Sequence, residues 1–544
     1  MRGHAFGVPF RFWGHTEVEF TRPHGPWESG DGWGGKPRSP SEGIIAVRLE
    51  LGHLLVRAKL ITEEQMNEAL ARQSALGGRF GEHVVSLGFM TEDALNAFIH
   101  KTPVEPPTIE STGIDETELL SLLMKLIYTW RLQSNREFAD AIKLPAHLVV
   151  KLIRIATERK LLYAKGVRAD NMAAMNYALT DEGTRWALEA LERSQYTGPA
   201  PVTLEQYIDR VNLQKITNEV ITFQKVRNNV SDLAMEDEMI VQSGPALNSG
   251  RAILLYGPPG NGKTTFALRL ANVFTDMIYI PYSVTVEGQI IRVFDPSIHV
   301  PIKTDEQHGP SILRTDSVDA RWVACKRPFV VAGGELTLDM LDLRYEATAR
   351  FYEAPLHMKA LGGCFVIDDF GRQLVTPTVL LNRWIVPLES RIDYLKLHTG
   401  KSFQIPFDEL VIFSTNLEPE DLMDPAFLRR LPYKIEIGSP SVTLFRSIVE
   451  KECIARGMTL DDETFDHLVY KIQIEKQLDL ACFQPKFLLE QVTASCKFME
   501  EPPSLSRRFL DYAIDNLRVK SSVQASAEKA AMSLEERLAG GSRT

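Results

Sequence analysis

The sequence is poor in cysteine, which limits the covalent and metal cross-links that it can form. Five cysteines occur among 544 residues, an odd number, and none belongs to a CxxC or CxxH pair. This count and spacing argue against a disulfide framework and against a structural zinc site. A reducing compartment fits best, and we predict a cytoplasmic protein.

Long hydrophobic runs and an excess of positive charge are also missing. No stretch approaches the roughly 18 apolar residues of a membrane span, and the N-terminus lacks the basic-then-apolar order of a secretory signal. We therefore expect no membrane insertion. The formal charge is 61 − 71 = −10, so no overall positive field attracts nucleic acid or anionic lipid.

The sequence does contain an average globular composition in a chain too long for one core. Hydrophobic residues make up 44% and charged residues 24%, close to the averages for soluble proteins. At roughly 150 residues per domain, the length predicts three or four domains. Residues 1–44 are rich in Gly and Trp without helical or strand periodicity, which predicts disorder. We expect a second flexible segment, a tail, at 521–544.

A tandem repeat follows the N-terminal segment. Two stretches superpose at an offset of 29 residues, so that Gly52 aligns with Gly81 and Thr62 with Thr91. In each copy the Thr precedes acidic residues, the pattern of a helix N-terminus. We predict one small helical domain at 45–102.

This repeat resembles the N-terminal domain of type IV pilus and type II secretion ATPases. In that family two motifs that begin Arg-Leu-Gly and end in Gln bind cyclic di-GMP. The copies here would run Glu50–Gln73 and Arg79–Thr102, with Glu50 in place of the first Arg and Thr102 in place of the second Gln. The resemblance implies either a cyclic di-GMP site or a docking module for pilus or secretion machinery.

A Pro-rich linker at 103–114 leads to a third segment at 115–197. Its order of helices, a short strand and a capped last helix resembles a winged helix, a fold usually associated with DNA. Residues 115–195 hold 12 basic and 11 acidic side chains, without the basic excess typical of DNA-binding domains. Protein–protein or intramolecular use is favoured, and DNA stays an alternative because of a basic patch. The patch consists of Lys151, Arg154, Arg159 and Lys160.

A glycine-rich loop carries the clearest chemical signal. The run "GPPGNGKTT" matches G-x-x-x-x-G-K-[ST] between an apolar strand and a helical pattern. In such loops backbone N–H groups converge on phosphates, the Lys reaches the β- and γ-phosphates and the hydroxyl ligates Mg²⁺. We predict a nucleoside triphosphate site. Its residues are Gly257, Pro258, Pro259, Gly260, Asn261, Gly262, Lys263, Thr264 and Thr265.

Polar side chains follow two further apolar strands. The strand "CFVID" ends in Asp368, expected to hold Mg²⁺ with Thr264, and is followed by Asp369, expected to polarise the attacking water. The strand "LVIFSTN" ends in Asn416, which would position water near the γ-phosphate. The sequence therefore predicts that these side chains meet at one edge of a sheet.

Basic residues further along complete the candidate site. Arg429 and Arg430 look like arginine fingers that reach into a neighbouring subunit's site. Lys486 lies in a helical region, where a second sensor cation would approach the nucleotide. Weaker candidates for support of the site are Glu335, Glu389 and Arg391.

In this order the motifs resemble those of AAA+ ATPases. The resemblance implies ATP with Mg²⁺, an α/β P-loop core with a five-stranded parallel sheet at 206–440, and an α-helical lid at 441–520. It also implies self-association into a ring, in particular a hexamer. Two positions depart from the family pattern: Asp369 replaces the usual Glu, and Lys486 replaces the usual Arg. Lys lacks the planar fork of Arg, which makes looser nucleotide sensing the expectation.

The interval between Lys263 and Asp368 is longer than a minimal crossover requires. An aromatic-rich stretch that ends in A-x-G-G resembles MoxR-like chaperones and enhancer-binding activators, whose insertions contact the substrate. The activator loop sequence is absent, which argues against a role as a transcription activator. Three histidines of this interval are interpreted as ordinary polar residues rather than metal ligands: His299, His308 and His357.

Three functional hypotheses follow from these patterns. The first is an ATP-driven ring that remodels an unidentified client protein and is linked to pilus, secretion or cyclic di-GMP machinery. The second is an ATP-regulated DNA-binding regulator that acts through the winged helix. The third is a slow nucleotide switch or scaffold, because Asp369 is one methylene shorter than Glu.

Overall fold

The protein is described from a computed structural model. It covers residues 102–517 apart from 169–170, 234 and 303–317, together with parts of 52–98. The predictions of disorder at the N-terminus and of a flexible tail fall outside the described residues, as do Glu50, Arg79 and His308. Among the helices of the described part, none combines the length and the apolar character needed to cross a membrane.

The tandem repeat recurs in the backbone hydrogen bonds of the described N-terminal residues. The amide of Leu60 donates to the carbonyl of Leu55, and the amide of Phe89 donates to the carbonyl of Val84. Each member of the second pair lies 29 residues after its counterpart, the offset seen in the sequence. The helices described here are Glu63–Leu76 and Phe80–Ser86.

The repeated glycines also occupy equivalent packing positions. A Cβ on Gly52 would lie 3.0 Å from the Met66 side chain, and a Cβ on Gly81 would lie 2.8 Å from that of Leu95. Both pairs are again related by 29 residues. A side chain at either glycine would therefore displace the side chain of Met66 or Leu95.

The next segment contains four helices and a two-stranded sheet. The antiparallel strands are Leu162–Arg168 (β1) and Asn171–Leu179 (β2). The side chain of Thr180 caps the last helix by accepting from the amide of Gly183, as the sequence predicted. The winged-helix assignment stays a prediction. The helices are Glu116–Trp130, Asn135–Ile142, Ala146–Glu158 and Asp181–Arg193.

A parallel five-stranded sheet forms the centre of the next domain. Its strands, in chain order, are β4 (Ile253–Tyr256), β9 (Phe329–Ala332), β12 (Cys364–Ile367), β15 (Leu410–Ser414) and β16 (Tyr433–Glu436). Their order in space is β16-β4-β15-β12-β9. Helices cover both faces, so the strands read as continuous apolar runs rather than alternating ones. The parallel-sheet fold class predicted from the sequence is confirmed.

Smaller sheets surround this centre within the described residues. Their strands are β3 (Val202–Thr203), β5 (Met277–Pro281), β6 (Ser283–Val286), β7 (Gln289–Arg292), β8 (Trp322–Lys326), β10 (Arg344–Glu346), β11 (Phe351–Glu353), β13 (Ile392–Lys396) and β14 (Ser402–Pro406). One sheet combines five short strands in the order β10-β11-β7-β6-β3, and two antiparallel pairs join β5 to β8 and β13 to β14. The helices are Leu204–Leu213, Phe223–Asn229, Asp237–Ser249, Lys263–Ala271, Leu356–Lys359, Pro377–Ser390, Pro419–Leu422 and Pro425–Leu428.

A buried arginine attaches the second domain to the sheet domain. Arg321 is 2% exposed and pairs with Asp319, while its guanidinium also donates to the carbonyls of Thr112 and Pro201, each at 3.1 Å. Thr112 precedes the helices of the second domain and Pro201 follows them. One side chain therefore fixes both connections of that domain.

A helical domain lies at the C-terminal end of the described residues. Its apolar core is built around Phe445, Leu488 and Phe509 and is separate from the core of the sheet domain. A single π-helical turn, Lys471–Glu475, extends its second helix. Its α-helices are Val442–Ala455, Asp462–Tyr470, Gln484–Phe498 and Arg507–Asp515.

Candidate nucleotide site

The glycine-rich loop has a shape that only glycine permits at two positions. Gly257 has φ 129°, and a Cβ there would lie 2.5 Å from the carbonyl oxygen of Ile437. Gly260 has φ 83°, and its Cβ would lie 2.3 Å from the ring of Phe483. A positive φ is rarely adopted by other residues. The loop thus turns sharply from β4 into the helix Lys263–Ala271, whose free N–H groups point toward it.

Lys263 lies at the start of this helix and is only 6% exposed. Its ammonium donates to the carbonyls of Gly257 at 2.9 Å and Pro258 at 2.8 Å. Burial lowers the pKa of Lys263, and the nearby carboxylates of Asp368 and Asp369 oppose this shift. The side chain is therefore a cation held inside the loop, within the electrostatic reach of both acids.

Thr264 and Asp368 are brought together across the sheet. The Thr264 hydroxyl lies 2.9 Å from each oxygen of the Asp368 carboxylate and donates to it. Asp368 follows β12 directly, while Thr264 lies on the helix that follows β4. A hydroxyl beside a carboxylate is a donor set that suits Mg²⁺. These are the two residues that the sequence predicted as magnesium ligands.

Asp369 and Asn416 meet at the same edge of the sheet. The side-chain amide of Asn416 donates to Oδ1 of Asp369 at 3.1 Å. Asp369 has φ 48°, a left-handed conformation that Asp tolerates better than most residues. Thr415 fixes the arrangement, because its hydroxyl donates to the carbonyl of Phe370 and its amide to that of Leu255.

Gln373 was missed by the sequence interpretation. Its side-chain amide donates to the carbonyls of Asp368 at 3.0 Å and Asp369 at 3.3 Å, and its carbonyl accepts from the amide of Gly371. These bonds fold the loop after β12 back on itself. No sequence signal marks this role, because a single Gln five residues after Asp368 matches no motif.

The C-terminal helical domain contacts the glycine-rich loop directly. The amide of Phe483 donates to the carbonyl of Gly260 at 3.0 Å, and that of Cys482 donates to the side chain of Asn261 at 3.2 Å. Nδ2 of Asn261 is buried without a hydrogen-bond partner among the described residues. The glycine-rich loop is therefore hydrogen-bonded to the C-terminal helical domain as well as to its own.

A cavity of about 1100 Å³ extends from the loop between the two domains. Lys486 lines it, is about half exposed, and lies 4.0 Å from Glu490. Asp369 and Asn416 line the same cavity. One part of its wall is apolar, with contributions from the segment before β4, from the residue after β16 and from the C-terminal domain: Leu233, Met235, Met239, Ile437, Leu444, Ile448 and Phe487.

Arg429 and Arg430 lie at the opposite end of the sheet. They come just before β16, which runs parallel to β4 and pairs Tyr433 with Ile253. Both arginines line a surface pocket with Ser249 and Arg251, the residues that precede β4, whereas the glycine-rich loop follows β4. Arg430 forms an ion pair with Glu389 of the same pocket, and Arg429 is exposed. The two arginines therefore do not reach the nucleotide site of their own chain.

Glu335 and Arg391, two of the weaker candidates, form hydrogen bonds with backbone groups. Glu335 accepts from the amide of Gly333 at 2.9 Å, close to the loop that Gln373 orders. Arg391 donates to the carbonyl of Gly250 at 2.9 Å, at the end of the sheet where Arg429 lies.

The described histidines of the long interval have protein partners. Nδ1 of His299 accepts from the amide of Asp295, and Nε2 donates to the carbonyl of Lys359, both at 2.8 Å. Burial lowers the pKa of His299 to about 4, so the ring is neutral at pH 7. His357 is buried 2.8 Å from the carboxylate of Asp393.

Comparisons with known proteins match parts of the chain. A family model described as "Domain of unknown function (DUF8689)" matches residues 441–516, the C-terminal helical domain. Proteasome-activating nucleotidases from Thermococcus kodakarensis and Methanocaldococcus jannaschii are 25% and 24% identical over 33% and 49% of this chain. The chain spans 45% and 64% of the length of these two relatives.

Solved structures superpose weakly. The AAA domain of FIGL-1 in complex with ADP matches at 13% identity and a TM-score of 0.27, covering 58% of this chain and 84% of that one. A score at this level does not by itself establish a common fold. The observed strand order, the glycine-rich loop and the curated relatives together support an AAA+ ATPase fold for this chain.

Proposed function

We propose that this protein is an AAA+ ATPase that uses ATP hydrolysis to remodel other proteins. The observation that carries the proposal is the convergence of Thr264, Asp368, Asp369 and Asn416 at the carboxyl edge of one parallel sheet. That edge is where ligands bind in open α/β sheets. Thr264 and Asp368 would hold Mg²⁺, and Asp369 with Asn416 would orient water.

The shape and polarity of the cavity fit a nucleoside triphosphate. The backbone amides of the loop and the ammonium of Lys263 suit the phosphates. The apolar wall beyond the loop, around Leu233 and Met239, suits a purine base. Mg²⁺ would supply charge neutralisation on the phosphates. The buried Nδ2 of Asn261 would find an acceptor in a phosphate oxygen.

The position of the arginines supports a ring. Arg429 and Arg430 lie a strand's length from the phosphate site of their own chain, at the opposite end of β4 and β16. An arginine that stabilises transferring phosphate must come within hydrogen-bond distance of it. In this proposal one of the two arginines serves the site of a neighbouring subunit, which makes each site incomplete in a monomer. A closed ring, in particular a hexamer, satisfies every site.

A conformational change at the nucleotide site would be transmitted to the C-terminal domain. Phe483 and Cys482 bond to the glycine-rich loop, and Lys486 lines the same cavity. A change in the loop between ATP and ADP therefore acts on the domain at 441–516. Rotation of that domain would move the inserted strands between β4 and β12 against a client protein.

DNA regulation through the second domain receives less support. In the basic patch Arg159 pairs with Glu116 at 2.8 Å and Arg154 with Glu158 at 3.5 Å. Two of the four patch residues thus have acidic neighbours that compete with phosphate. We therefore propose protein–protein or intramolecular use of this domain.

The N-terminal repeat is proposed as a docking module for pilus, secretion or signalling machinery. The backbone bonds shared by both copies make it a regular helical unit. Gln73 and Thr102, the ends of the two motifs, are 4% and 9% exposed, so neither side chain offers much surface to a cyclic dinucleotide. Calorimetric titration of cyclic di-GMP into the full chain distinguishes docking alone from ligand binding.

The proposal is tested by an ATPase assay of the purified full chain. Lys263→Ala is expected to abolish hydrolysis, while Lys497→Ala, an exposed lysine of the C-terminal domain, is expected to leave it unchanged. Hydrolysis by the Lys263 variant at the wild-type rate would end the proposal. ATP-dependent unfolding of a destabilised fluorescent protein then separates a remodelling ATPase from a slow nucleotide switch.

A further inference from the structure

A second cavity lies away from the nucleotide site. Its volume is about 510 Å³, within the range of pockets that hold small organic ligands. One wall is the helix Glu116–Trp130 of the second domain, and the opposite wall is the hairpin formed by β6 and β7. The cavity therefore opens between two parts of the chain that Arg321 holds in fixed positions.

A lysine that forms no ion pair within the described residues lines this cavity. Lys125 is 5% exposed, and its ammonium donates to the carbonyl of Ser194 at 3.0 Å. Within the described part of the chain, no carboxylate forms an ion pair with Lys125. Burial, together with the nearby charge of Arg193, lowers the pKa of Lys125 to about 8. The side chain is still mostly protonated at pH 7, and a buried charge without a counterion is costly.

The charged residues around the cavity are mostly basic. Arg193 and Arg350, both exposed, line it together with Lys125, and Glu118 is the one acidic side chain in the lining. Burial and the nearby charge of Asp115 raise the pKa of Glu118, and Arg193 opposes that shift. Three positive charges and one negative charge leave 3 − 1 = +2 at the cavity. This excess matches a divalent anion.

The remaining lining is partly apolar. Leu119 and Leu122 contribute from the helix, and Ile290 contributes from β7. Inorganic phosphate would fill only a small part of this volume and would make no apolar contact with these side chains. An anionic group attached to a carbon skeleton would pair with the basic residues and also pack against the apolar wall.

We propose that the cavity between the helix Glu116–Trp130 and the β6–β7 hairpin binds a small organic phosphate monoester, with Lys125 as the buried counterion. A phosphate monoester carries close to two negative charges at pH 7, which balances the excess. Arg193 and Arg350 are exposed and line the cavity, and guanidinium groups form bidentate contacts with phosphate. Arg350 also donates to the carbonyl of Glu192. The proposal is independent of ATP hydrolysis, because no residue of this cavity lines the nucleotide cavity.

The test uses the full chain carrying Lys263→Ala, so that binding at the glycine-rich loop is weakened. Calorimetric titration compares glucose 6-phosphate and glycerol 3-phosphate with inorganic phosphate, citrate and uncharged glucose at constant ionic strength. One site per chain is expected for a phosphate monoester, with weaker binding of inorganic phosphate and none of glucose. Absence of monoester binding at millimolar concentration would overturn the proposal, and so would tighter binding of citrate.

Two variants locate the site. Lys125→Met keeps the length of the side chain and removes its charge, and it is expected to weaken monoester binding about tenfold or more. Lys151→Met, on an exposed helical position of the same domain, serves as the matched control. Arg193→Gln removes the charge of an exposed lining residue without disturbing a buried position. It is expected to weaken monoester binding several-fold. Wild-type affinity in both the Lys125 and Arg193 variants would contradict the assignment.

Discussion

The side-chain amide of Asn416 donates to the carboxylate of Asp369 across 3.1 Å, which joins the ends of β15 and β12. The two residues lie 47 positions apart in sequence. The left-handed backbone of Asp369, with φ 48°, directs its side chain toward Asn416. The bond orients one carboxylate oxygen and leaves the other available to a water molecule, the arrangement that a general base requires.

The length of the acidic side chain at position 369 is expected to set the rate of hydrolysis. Asp369→Glu extends the carboxylate by one methylene toward the cavity and should raise ATPase turnover several-fold. Asp369→Asn removes the base and should lower kcat about 100-fold or more while nucleotide binding is retained. Steady-state kinetics with a fluorescent nucleotide binding assay separate these effects. Turnover of the Glu variant at or below the wild-type rate would show that the site is not limited by the shorter Asp.

Arg429 is expected to act in a neighbouring subunit. Because it is exposed at the end of the sheet opposite the phosphates, Arg429→Ala should lose hydrolysis and keep ATP binding. Mixing Arg429→Ala with Lys263→Ala protein should restore part of the activity, since some interfaces then combine an intact Lys263 with an intact Arg429. Arg430→Ala removes the ion pair with Glu389 and serves as the comparison. Failure of every mixing ratio to recover activity would argue against action in trans.

Contact between the glycine-rich loop and the C-terminal domain depends on the absence of a side chain at position 260. Gly260→Ala would place a Cβ 2.3 Å from the ring of Phe483 and keep a positive φ, at a cost of about 1–2 kcal/mol. The expected results are a lower Tm and weaker ATP binding. Gly244→Ala is the matched control, because its Cβ meets nothing within 4 Å and Ala favours a helix by about 0.5–1 kcal/mol.

A buried acid far from the nucleotide is expected to make stability depend on pH. Glu409 is 0% exposed, and neither carboxylate oxygen has a hydrogen-bond partner among the described residues. Burial raises the pKa of Glu409 well above its usual range, although Arg391 opposes the shift. The folded chain therefore holds this proton more tightly than the unfolded chain does. The resulting stability is full below the unfolded pKa and is lost as the pH rises toward the folded one.

Replacing this acid with an amide tests the sign of that dependence. Glu409→Gln removes the titration, so its gain in Tm over the wild type should be larger at pH 8 than at pH 5. Calorimetric scans at both pH values measure the difference. Glu205→Gln, an exposed acid on the helix Leu204–Leu213, should show no such change between the two pH values. An equal Tm shift at both pH values for Glu409→Gln would contradict the expected titration.

Local sequence patterns predicted much of the candidate nucleotide site. The loop from Gly257 to Thr264, the acids after β12 and Asn416 after β15 each follow an apolar strand, and parallel strands share one edge for their carboxyl ends. The 29-residue repeat was likewise visible, because a glycine and its packing partner recur at the same spacing in both copies. Gln373 and Phe483 were not visible, because their roles depend on hydrogen bonds and contacts that no motif encodes.

The sequence by itself determined which residues could bind phosphate and metal, since that depends on residue type and on spacing along one strand and one loop. Tertiary structure decided which of them act together. It placed Arg429 and Arg430 at the far end of the sheet, because β16 runs parallel to β4 and the arginines precede it. Folding also buried Lys125 in a second cavity with two arginines and one acid, since those residues lie on separate elements that only packing brings together.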